Sequence, residues 1–152
     1  MKLETIDDVL GWTQEFHRHL SQCLERCRDS QHSERARLLM SYLVDHEKQL
    51  QRIVGKFRHQ ADPKALNTWC IEYFDKRPVK DHDVYERPYG EMDAEEIMAA
   101  VVDQHEEVID LYHYLIGRAN TEEVKELLEE LLQMEQHEAM RMVQGSNRLT
   151  DI

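Results

Sequence analysis

Every proline in the chain falls in one window: Pro63, Pro78 and Pro88 lie between positions 61 and 92. Proline breaks a helix because its ring clashes with the preceding turn and it has no amide proton to donate. The stretches on either side carry no such stop and are rich in Leu, Glu, Gln, Arg and Met, all good helix formers. Neither stretch shows the apolar–polar alternation of a half-buried strand. The pattern predicts an all-α chain, a single domain over 1–152 made of two antiparallel helical hairpins joined by a long crossover at 60–93.

Stop signals place four helices at about 5–28, 33–59, 94–116 and 121–144. The first ends in the polar run Asp29-Ser30-Gln31-His32, and Ser33 caps the second with Glu34 in its first turn. The third follows Asp93, with Glu95 and Glu96 placed to meet the helix dipole, and stops before Gly117. The fourth opens at Asn120 or Thr121 and is expected to stop at Gly145. Within the crossover, one short helix is expected from Pro63 to Lys76, carrying Leu66, Trp69, Cys70, Tyr73 and Phe74, with loop from Arg77 to Met92. That aromatic segment is a candidate cover for the bundle or a dimer contact.

Charge narrows the function. Nineteen Lys and Arg stand against 31 Asp and Glu, a net charge of −12. This balance argues against a nucleic-acid partner, which needs clustered cations, and against docking on an anionic membrane. No apolar run approaches the roughly 20 residues of a spanning helix, and Met1-Lys2-Leu3-Glu4-Thr5 lacks a signal-peptide core. A cytoplasmic location is expected. Cys23, Cys27 and Cys70 include no CxxC pair, and reduced, buried thiols are the simplest reading. A redox pair or metal thiolate is the alternative, although two thiolates alone do not close a metal site.

The apolar stripes carry the chemistry. They read Leu10, Thr13, His17, Leu20, Leu24, Cys27 on the first helix and Leu39, Leu43, His46, Leu50, Ile53, Phe57 on the second, with Glu47 beside the latter. On the third and fourth they read Met98, Val102, His105, Ile109, Tyr112, Ile116 and Val124, Leu128, Leu131, Glu135, Glu138, Met142. Each stripe is interrupted by His or Glu near its middle. Sliding the chain by 88 positions lays His17 on His105, Leu43 on Leu131 and Glu47 on Glu135 without a gap. The two hairpins thus share one phase. At 1.5 Å rise per residue, His17, Glu47, His105, Glu135 and Glu138 should reach one layer of the core.

Burying ionised carboxylates costs several kcal/mol each, a large share of a domain's net stability. A divalent cation bound by carboxylate and neutral imidazole offsets that cost, and so does His–Glu hydrogen bonding without metal. His46, Glu106 and His137 adjoin these positions as alternate ligands or as partners that orient them. His32, His59, His82 and His113 read as ordinary surface or loop residues.

These residues resemble the ferritin-like superfamily, in particular its rubrerythrin-like branch. Gln104-His105-Glu106-Glu107-Val108-Ile109-Asp110-Leu111-Tyr112 is similar to that branch's third helix, and Leu127 to Glu138 is similar to its fourth, which carries Glu-x-x-His. Asp45-His46-Glu47-Lys48-Gln49-Leu50 is similar to the second. The resemblance covers both hairpins but not the crossover. It implies a four-helix bundle with one Glu from each of the first and third helices and Glu-x-x-His from the second and fourth.

Here His17 and His105 stand in place of the single glutamates, Leu50 replaces one ligand histidine, and Glu138 replaces the other. Glu47 and Glu135 match the bridging glutamates. The reduced set implies a mononuclear or asymmetric dinuclear site for Fe, with Mn or Zn as alternatives. By the same resemblance the chain would be an oxidase, peroxidase or iron-handling protein acting with oxygen or peroxide, and a homodimer. The opposing expectation is a metal-free bundle with a structural or interaction role.

Overall fold

The computed structural model describes residues 3–70, 82 and 86–150. Among these the chain forms α1 (Ile6–Arg28), α2 (Glu34–Gln60), α3 (Pro63–Leu66), α4 (Ala94–Ile116) and α5 (Glu122–Thr150), with a 3₁₀ turn at Tyr89–Glu91. The architecture is all-helical. Side chains close the helix starts: Thr5 and Asp8 form a reciprocal capping box on α1, Asp93 and Glu96 form one on α4, and Ser33 accepts from the Ala36 amide on α2. No helix among the described residues is long and apolar enough to cross a membrane.

The long helices pack as α1 on α2, α4 on α5, and α2 on α5. Arg35 near the start of α2 meets Glu95 near the start of α4 at 2.7 Å, so those two helices begin at the same end. Gln31, in the α1–α2 turn, holds that end by donating to the carbonyls of Tyr89 (2.9 Å) and Met92 (2.8 Å). Tyr42, early in α2, donates to the Arg141 carbonyl late in α5 at 3.3 Å, so α5 runs opposite to α2. The crossover thus travels the length of α2, about 40 Å, before α4 begins.

Three expectations need correction. The crossover helix stops at Leu66 instead of Lys76. The next residues form an extended pair with the entry to α1: Ile6 N–H donates to Thr68 (3.0 Å) and Cys70 N–H to Glu4 (2.8 Å), bonds that a continuing helix would have used internally. Trp69 consequently projects outward at 64% exposure while Cys70 is buried, so Trp69 does not cover the bundle; Tyr73 and Phe74 lie outside the described residues.

Secondly, α5 continues past Gly145 to Thr150, and Met142 and Ser146 extend its buried stripe. Gly145 is a close-approach residue instead of a stop, because a Cβ there would lie 2.1 Å from the Tyr42 hydroxyl. Thirdly, α4 is rotated by about one residue over part of its length. Ile97, Val101, Val108 and Leu115 are buried, while Met98, Val102 and Ile116 are only partly so. Adjacent apolar pairs give this helix two candidate inner faces, and the Gln104–Tyr89 hydrogen bond (2.6 Å) ties down the one observed.

Candidate metal centre

Four helices each send one ionisable side chain to the same point. His17 (α1), Glu47 (α2), His105 (α4) and Glu135 (α5) are at most 1% exposed. His17 is gripped at both ring nitrogens, with Nδ1 2.7 Å from Glu47 Oε2 and Nε2 2.8 Å from Glu135 Oε1. The other Glu47 oxygen, Oε1, is hydrogen-bonded to His105 Nε2. One carboxylate therefore bridges two imidazoles. The last edge of the cluster is open: His105 Nδ1 and Glu135 Oε2 face each other across 3.9 Å, and neither has a hydrogen-bond partner among the described residues.

Electrostatics follow from this enclosure. Burial alone would lower the His17 pKa, but the Glu135 and Glu47 carboxylates outweigh it and push the value up to about 10. Burial alone would raise Glu47, yet the facing His105 and His17 hold it well below the usual carboxylate range. Phe16 walls the site with its ring edge-on to both imidazoles, at centroid separations of 5.2 Å from His17 and 6.0 Å from His105. Beneath it, Tyr112 donates to Thr13 at 2.7 Å and Thr13 donates to the Val9 carbonyl at 3.0 Å. Burial, reinforced by the Glu135 charge, keeps the Tyr112 hydroxyl protonated far above the ordinary phenol range.

Glu138 does not join this group. A step of three residues turns a helical side chain about 60° from Glu135 around the axis. Its carboxylate lies instead 3.8 Å from His46 and 3.4 Å from Arg141. His46 faces the same way, with Nε2 3.1 Å from the Glu138 carbonyl, and burial lowers its pKa. Glu106 and His137 are exposed and stand apart from the cluster. Of the five residues expected at the core, four meet and one borders a neighbouring cleft.

Phe16 lies one position before His17 and off the apolar stripe, so periodicity does not single it out. A large aromatic beside a polar interruption was the available signal. Cys23 and Cys70 are buried free thiols and Cys27 is half-buried. Burial pushes the Cys70 thiol up to about 12, which suits an inert core residue.

His17, Glu47 and His105 each offer a donor atom within 4.8 Å of the others, so the group can hold a metal ion. Comparison with known proteins adds nothing to the geometry: no family model, curated protein or solved structure matches the chain.

Proposed function

We propose that this chain is a ferritin-like four-helix bundle that binds one divalent transition metal between His17, Glu47, His105 and Glu135. The observation that carries the reading is the open edge of the cluster, where His105 Nδ1 and Glu135 Oε2 are buried 3.9 Å apart without partners among the described residues. Two donors bound to one ion at about 2.0–2.2 Å stand roughly 3–4.2 Å from each other, so this gap suits a shared cation. It is too wide for a direct hydrogen bond. Formal charge agrees: a divalent ion with neutral imidazoles cancels the two carboxylates, whereas a protonated His17 alone leaves the buried group at −1.

The mixed N/O donor set suits Fe, Mn or Zn, and iron or manganese held there would supply redox chemistry toward oxygen or peroxide. The residues do the rest. Phe16 and the complete burial of the cluster exclude bulk water, Glu47 fixes both imidazole rings, and the Tyr112–Thr13 pair presents a protonated phenol beside Glu135.

The double grip on His17 favours a second reading, in which an imidazolium between two carboxylates closes the network and the bundle is structural. Elemental analysis of protein purified without chelator separates the two. The metal reading expects about one equivalent of Fe, Mn or Zn per chain, given a single buried cluster, and its loss in Glu47→Ala. A metal-free preparation whose melting temperature ignores added Fe(II), Mn(II) and Zn(II) would instead establish the structural reading.

A further inference from the structure

Beside the buried cluster, α2 and α5 enclose a separate recess of about 470 Å³. Tyr42, His46 and Gln49 line it from α2; Glu138, Arg141, Gln144, Gly145 and Arg148 line it from α5. Its charge is the reverse of the molecule's. The chain carries 31 acidic residues against 19 basic ones, yet among the described residues this recess is lined by two arginines and a single carboxylate. Glu138 and Arg141 pair at 3.4 Å and cancel. Arg148 is exposed, and among the described residues no carboxylate pairs with it. One wall is tightly built: a Cβ on Gly145 would meet the Tyr42 hydroxyl at 2.1 Å, so the glycine lets Tyr42 lie directly against α5 at the edge of the recess.

We propose that this recess binds a small organic monocarboxylate, its carboxylate held by Arg148 and its body lying along the Tyr42 side chain. One unmatched guanidinium, a planar two-pronged donor, neutralises one carboxylate and leaves the second charge of a phosphate unmet. The side-chain amides of Gln49 and Gln144 supply further donors on the rim. Binding requires no metal in the core, so this inference stands or falls separately from the metal reading.

The test is calorimetric titration of the purified full chain at low salt with butyrate, and in parallel with inorganic phosphate, its metal content measured beforehand. Saturable binding of butyrate with a dissociation constant near or below about 1 mM is expected, with phosphate weaker. Arg148→Gln should weaken butyrate at least about tenfold, the scale of one charge-assisted hydrogen bond, while Arg148→Lys retains part of the affinity. Arg148 is exposed near the end of α5, so circular dichroism should show both variants folded. No saturable binding of butyrate to about 10 mM, equal affinity in Arg148→Gln, or tighter binding of phosphate would each overturn the proposal. Equal affinity in that variant would also expose a carboxylate bound directly to core metal.

Discussion

Glu47 accepts from two imidazoles on two other helices while wholly removed from water, so no neighbouring residue can take over its role. Glu47→Gln keeps the shape but leaves His17 and His105 without their shared charge. Breaking a buried pair in this way costs about 3–5 kcal/mol, which should lower the melting temperature by roughly 10 °C in a chain of this size. The same residues set the pH dependence of the metal-free protein. His17 binds its proton more tightly folded, with a pKa raised from 6.5 to about 10. Its contribution is therefore complete below pH 6.5 and lost as pH climbs toward 10. Glu47 is depressed from 4.5, so its contribution is present above that value and lost as pH falls below it. Denaturant titrations across pH should show a maximum between about 4.5 and 6.5 in chelator-treated protein. Metal must displace the His17 proton, so metal affinity should rise with pH over the range in which the metal-free protein weakens.

At the scale of elements, helix ends and their links decide the arrangement. Gln31 is 6% exposed and its amide spans two carbonyls of the incoming crossover. Gln31→Ala should cost about 1–3 kcal/mol by leaving those acceptors unmet, and hydrogen exchange should speed up at Tyr89–Met92 before the helices themselves are affected. Asp93→Ala removes the cap of α4 and should cost about 1 kcal/mol in thermal or urea melts. These caps were readable in the sequence because Ser, Thr and Asp announce themselves before a helical stripe. Gly145 was not readable in the same way. A glycine late in a helix is the ordinary stop signal, and only the position of Tyr42, a residue 103 places earlier, makes it a packing residue (145 − 42). The end of the short crossover helix is illegible for a similar reason, since local propensity does not report that residues 68–70 pair with the entry to α1.

At the scale of the whole molecule, the phase shared by two hairpins was legible because His17, Glu47, His105 and Glu135 interrupt apolar stripes at matching depths. Glu138 shows where that legibility stops. It belongs to the same stripe as Glu135, but a 60° offset around α5 turns it to the neighbouring recess, and a one-dimensional pattern does not resolve that angle. Four helices that each contribute one donor are tied together by whatever joins those donors, so metal should stabilise the bundle as a unit. Saturation at 100 times the dissociation constant is worth about 2.7 kcal/mol, a rise in melting temperature of roughly 5–10 °C that Glu47→Ala should abolish. The most direct test is anomalous X-ray scattering from crystals soaked in Mn(II) or Zn(II) above pH 7. The account predicts one strong peak within about 2.3 Å of His105 Nδ1 and a Glu135 oxygen. Ordered soaked crystals with no peak there, and with His17 still bonded to both carboxylates, would contradict it.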